Sequence, residues 1–136
     1  MTNKILDITK ITFTAIGGFL GAILGGVDGL LYALIILIVC DYITGVFVAI
    51  INKKVSSEIG FKGILKKISI FVLVALGYVI DSKVIKQGGV IRTATICFYI
   101  ANEGISILEN CGNLGLPIPQ KLKDVLAQIK TDSEKE

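Results

Sequence analysis

The chain has 136 residues, 53% hydrophobic and 18% charged, with a mean hydropathy of +0.77 and a formal net charge of +3. Soluble domains run to about 45–50% apolar with glycine counted in, whereas here fifteen glycines come on top of the 53%, a balance that suits lipid better than water. The modest charge, without a basic stripe or interleaved aromatics, excludes nucleic acid as a partner, and the lack of any histidine excludes imidazole acid–base chemistry and most zinc sites.

Four apolar blocks follow one another: residues 11–27, 29–51, 64–81 and 90–108. A membrane helix needs about 20 predominantly apolar residues. The pattern therefore predicts an all-α, multi-pass transmembrane helical protein, with about four membrane helices in residues 1–112. A short amphipathic helix and polar tail follow in 113–136.

The first block is short and rich in glycine. Lys4 and Lys10 precede it as in a signal peptide, but no A-x-A-like cleavage site follows, so an uncleaved helix is expected. Whether it spans or lies flat is left open by its length. Gly17, Gly21, Gly25 and Gly29 stand four apart, three overlapping GxxxG patterns in register. Such a stripe lets another helix approach closely, either within one subunit or between subunits.

The second block carries one charge, Asp41, among about fourteen Leu, Ile, Val and Phe residues. A central Asp costs about 2.5–3.5 kcal/mol on insertion, and each of those apolar residues returns about 0.3–0.6 kcal/mol. The helix still inserts, with Asp41 facing protein or water rather than lipid. Thr44, Gly45, Ala49 and Asn52 continue its face, and Gly45-x-x-x-Ala49 is a second close-packing pattern. The third block reaches spanning length if Lys66 and Lys67 snorkel to the interface.

The fourth block bears the stripe Thr95, Tyr99, Asn102, Ser106 and Glu109, flanked by Glu103 and Asn110. Counted from Gly29 and from Val90, Asp41 and Asn102 are equally deep. Asp41, Thr44, Asn102, Glu103 and Ser106 are thus expected to form one intramembrane polar layer. With no Lys or Arg expected at that depth, at least one carboxylate should hold a proton. Three roles compete for the layer: hydrogen bonds that fix helix pairing, the lining of a water-filled opening, and a proton or cation relay. Asp28, Asp81 and Glu109 sit at block ends and read as water-exposed.

The loops fix orientation. If all four blocks span, Lys4, Lys10, Lys53, Lys54, Lys62, Lys66, Lys67 and four C-terminal lysines share one side. Lys83, Lys86 and Arg92 lie on the other. The positive-inside rule then places both termini in the cytoplasm. After "ENCGNLGLPIPQ", the segment "QKLKDVLAQIK" sets Leu122, Val125, Leu126 and Ile129 at helical spacing, a helix for the inner membrane surface, a partner or solvent. "TDSEKE" reads as a frayed tail. Cys40, Cys97 and Cys111 show no CxxC spacing and read as small buried thiols. No nucleophile with a base, P-loop or metal cluster occurs, so no catalytic residue, metal or cofactor is expected.

Four motifs in order, "DYITG" (41–45), "SSEIGFKGILKK" (56–67), "NEGISILEN" (102–110) and "GLPIPQKL" (115–122), resemble the phage-lysis and toxin-secretion holins of Gram-positive bacteria and their phages. The likeness runs from about Asp41 to Ile129; the first block carries no comparable motif. It implies a non-enzymatic protein of the bacterial (host) cytoplasmic membrane. It implies homo-oligomers that open lesions in the lipid bilayer, and a functional link to an endolysin or a large toxin that leaves through them. Many holins also use a second start codon to make an antagonist, for which the single Met1 leaves no internal AUG. Two other classes remain: a small ion channel or proton-coupled transporter, and a structural membrane subunit.

Overall fold

The computed structural model describes residues 1–86 and 88–135. They form α1 (Thr2–Ile23), α2 (Gly29–Ile51), α3 (Ser57–Val79) running into a π-helical turn (Ile80–Ile85), α4 (Val90–Asn113) and α5 (Gln120–Lys135). α1, α2, and α3 with its π-helical turn are long and apolar enough to cross a membrane. α4 has the length but carries Arg92, Glu103 and Glu109.

The helix starts are chemically explicit. Asp28 accepts the Leu31 N–H at 2.9 Å and caps α2. Ser56 caps α3, with Glu58 in the first turn against the helix dipole. The α4 start has only Gly89 as its own cap, and its cap comes from another helix. Asp81 in the π-helical turn accepts from Ile91 N at 3.0 Å and Arg92 N at 2.7 Å. Two of the orphan donors at the α4 start are thereby satisfied.

These caps move several expected boundaries. α1 begins nine residues before the apolar block, without a side-chain cap at Met1, and Thr9 and Thr12 return their hydroxyls to carbonyls four residues back within it. It ends at Ile23, where Gly25 and Gly26 take positive φ. α3 starts at Ser57 rather than 64, and α4 continues to Asn113. α5 runs to Lys135, so "TDSEK" is helical rather than frayed; Glu136 lies outside the described residues. The expected water-exposed Asp81 is 5% exposed, because it is spent on the α4 cap.

α2, α3 and α4 form the core. α3 runs antiparallel to both neighbours: Lys67 meets Asp41 and Glu103, and Gly77 lies against the Arg92 backbone. Leu31, Leu34 and Ile38 from α2, Ile70 and Val74 from α3, and Ile96 from α4 make the buried apolar cluster. Outside it, α2 exposes the stripe Tyr32, Ile36, Val39, Ile43, Phe47 and Ile50. A helix that is apolar on its outer face is the arrangement for lipid rather than water.

α1 stands apart, with Gly21 its one buried residue. Nothing approaches Gly17 or Gly18 within 4 Å, and Gly29 is likewise open. The expected four-glycine stripe is therefore not one packing surface within the chain. Gly25 instead serves a turn at φ +87, where a Cβ would stand 2.7 Å from both Arg92 Nε and Tyr78 Cδ2. Gly29 opens α2.

Gly77 is the tightest helix–helix approach to backbone: a Cβ there would lie 3.2 Å from Arg92 Cα and 3.3 Å from Arg92 N. Gly77→Val is expected to cost about 1–3 kcal/mol, and Gly17→Val less than about 0.5 kcal/mol. Denaturant titration of the two variants in detergent micelles checks this; equal losses would contradict the packing.

Candidate functional site

The site grows from a stripe on α3. Gly60, Gly63, Lys67, Ile70, Val74 and Gly77 recur at three- and four-residue spacing, so they share one helix face. The glycines keep that face low: the Tyr42 hydroxyl lies 3.3 Å from where a Gly60 Cβ would be. Ile70 and Val74 enter the apolar core. Lys67, on the same face, must therefore point its ammonium into the bundle.

There it meets two carboxylates. Lys67 Nζ lies 2.6 Å from Asp41 Oδ2 on α2 and 2.7 Å from Glu103 Oε2 on α4. The three side chains are 16%, 12% and 9% exposed, so the ion pairs are shielded. Asn110 completes the group, donating to Asp41 Oδ1 and to Thr44 Oγ1, each at 3.0 Å. The Thr44 hydroxyl in turn donates to the Cys40 carbonyl at 2.8 Å. Among the described residues every buried side-chain polar atom has a partner, the condition under which buried charge is tolerated.

Of the expected layer, Asp41, Thr44 and Glu103 are joined by hydrogen bonds and ion pairs, and Ser106 lines the same cavity. Asn102 does not belong: it is exposed, and borders a groove with Lys66, Ser69 and Tyr99. Glu103 meets the Asp41 level and Asn102 is turned away from it, because one residue along a helix turns a side chain by about 100°. The inward face of α4 is Ile96, Tyr99, Glu103, Ser106 and Asn110. The expectation of no cation at this depth is also overturned. Lys67 does not snorkel outward; its long stem runs inward, and the α3 glycine stripe is the sequence signal for that.

Gly45 and Ala49 border the cavity as well, which has a volume of about 840 Å³ and extends from Asp41, Glu103 and Asn110 to Lys54, Ser56 and Ser57 at the α2–α3 loop. Gly45 lies beside the Asn110 amide, 3.8 Å from its would-be Cβ. One ammonium against two carboxylates, beside a wide and mostly apolar cavity, holds three helices together through charge.

A second charged contact sits at the start of α2. Arg92 donates to Asp28 Oδ2 at 2.7 Å and to the carbonyls of Leu24 and Gly26, and is 7% exposed. These bonds tie the α1–α2 turn to the start of α4. The Arg92 guanidinium, with the Leu31 N–H, holds the Asp28 carboxyl below its ordinary value of 3.8. A depressed carboxylate contributes stability above that value, and loses it as the pH falls through the lower folded value. With half of Asp28 exposed, the contribution stays below about 1 kcal/mol.

The model of the bacteriophage holin family matches residues 18–131. The chain belongs to that family. Holins are non-enzymatic, and this one is a multi-pass membrane protein. An uncharacterised 14.9 kDa protein of Clostridium perfringens is 40% identical over 127 residues, covering 93% of this chain and 96% of its own. A probable holin of Bacillus phage phi105 is 37% identical over 101 residues, 74% of each chain. YqxH of Bacillus subtilis is 40% identical over 101 residues, 74% of this chain and 71% of its own. No solved structure matches.

Lys67→Met leaves Asp41 and Glu103 facing each other and is expected to cost about 3–5 kcal/mol. The triple variant Asp41→Asn, Lys67→Met, Glu103→Gln should recover most of that loss. Unfolding titrations in micelles measure both; a Lys67→Met variant as stable as the parent would remove Lys67 from the centre of the site.

Proposed function

We propose that this holin-family chain assembles in the bacterial cytoplasmic membrane into lesions through which an endolysin or a large toxin leaves the cell, so timing lysis. The observation that carries the proposal is the Lys67–Asp41–Glu103–Asn110 cluster, a charged group shared by three helices in a membrane protein. Within one copy every member is paired. The same groups can be satisfied by partners from a second copy, and a protein with two such arrangements can switch between them.

Early in expression the cluster is closed inside each copy. Above a critical density, α2 and α4 exchange partners between copies, and the polar face turns to a hydrated opening. The open space beside Gly17 and Gly18 on α1 suits close approach of another helix. Collapse of the membrane potential assists, since displacing one charge across it is worth about 2.3 kcal/mol per 100 mV. In this arrangement α4 crosses the membrane beside α2, and both termini lie in the cytoplasm with most of the lysines.

Induced alone, the chain is expected to kill cells abruptly after a delay and to release a co-expressed cell-wall hydrolase. Selective ion flux without such release would favour a channel or transporter, and no toxicity a structural subunit. Asp41→Asn and Asp41→Leu should both shift the time of lysis; unchanged timing and unchanged cross-linked oligomers for both would remove Asp41 from the trigger. Reporter domains fused at either terminus should be active in the cytoplasm only, and an externally active N-terminal fusion would show that α1 does not span.

A further inference from the structure

α5 lies where a charged helix has no place in an intact bilayer. It folds back antiparallel along α4. Leu126 seats on Gly104, where a Cβ would stand 2.8 Å from Leu126 Cδ2. The Lys130 ammonium lies 5.8 Å from the centre of the Phe98 ring, and Ser133 shares a cavity with Ala94, Thr95 and Phe98. α5 thus follows α4 nearly back to its start. α4 in turn follows α2, from the Arg92–Asp28 pair to the Asn110–Thr44 bond. If α2 crosses the membrane, most of α5 is at membrane depth.

No residue of α5 is fully buried. Its outer side carries Lys121, Lys123, Asp124, Asp132, Glu134 and Lys135, all exposed. Each such charge against lipid opposes insertion, and the apolar residues of α5 are too few to compensate. The side of the bundle that bears α5 must therefore face water. A single copy in a sealed bilayer has no water there; a lesion does.

We infer that the α5-docked form already faces the water of the lesion, before the Lys67 cluster exchanges partners between copies, and that α5 is the hydrophilic lining there, laid against the Ala101–Gly104 face of α4. Before opening, α5 hangs off the cytoplasmic end of α4 and that face meets other helices or lipid. Gly104 is the fitting that admits α5. This inference rests on the lesion-forming function proposed above and names the surface that lines the lesion.

The test uses the full chain in vesicles loaded with fluorescent dextran, with Cys40, Cys97 and Cys111 replaced by Ser. In that background Gly104→Cys and Leu126→Cys are joined by oxidation and separated by reductant. The oxidised protein should release dextran at least as fast as the reduced protein, and removal of residues 120–136 should slow release about fivefold or more. A bulky polyethylene-glycol maleimide on Lys123→Cys should block dextran release from lesions already open. If oxidation cuts release about tenfold and reductant restores it, α5 is a cover that must leave, and the inference falls. Unchanged release without residues 120–136 overturns it too. If the cysteine-free parent and the natural sequence both retain dextran, the lesion-forming function itself fails and this inference goes with it.

Discussion

The bundle depends on one ammonium held between two carboxylates. Lys67 is the only described cation in contact with Asp41 and Glu103, and each of those three groups comes from a different helix. Alone, any of them would be prohibitively placed beside a core of Leu31, Leu34, Ile70, Val74 and Ile96. Together they demand that α2, α3 and α4 converge at one level and in one rotation. The glycine at 60 follows from that demand, since a Cβ there would stand 3.3 Å from the Tyr42 hydroxyl. The pairing fixes geometry more than it adds stability, because desolvating three charges offsets much of their attraction.

This distribution is inside-out relative to a soluble bundle. The outward faces of α2 and of the second halves of α1 and α3 are largely apolar, and Asp41 and Lys67 are turned inward. For the lesion-forming task proposed for this chain, that arrangement is economical. The same polar surface that welds a single copy is what an assembly would expose to water. The interior is a store of hydrophilic surface, kept from lipid by pairing rather than by its absence.

Much of this is legible in the sequence. The apolar block locates α2 well, because a 23-residue run with one charge leaves little choice. Asp41 announces itself by its cost, and Glu103 by its depth. The misses have physical causes. Asn102 and Asn110 are equivalent by composition, and only helix rotation, set by Asp81 and Arg92 at the α4 start, selects Asn110. Lys67 is hidden by habit: lysines near an apolar block usually snorkel, and the glycine stripe that turns it inward begins outside the block. Gly25 fits a packing stripe by spacing, yet a turn with positive φ claims it. Boundaries fail where capping residues, rather than hydropathy, decide them, as at Ser56.

The Arg92 clamp has a consequence for how the protein is made. The turn between α1 and α2 is closed by carbonyls and a carboxylate that bind a guanidinium 64 residues further along the chain. At a synthesis rate of about 5–20 residues per second, the turn between the first two helices is made roughly 3–13 s before its clasp exists. During that interval nothing from α4 holds the carbonyls of Leu24 and Gly26, and the angle between α1 and α2 is unclamped. The final angle between them is thus written late, by the second half of the chain, and each nascent copy passes through a stage in which its own N-terminal hairpin is unlatched.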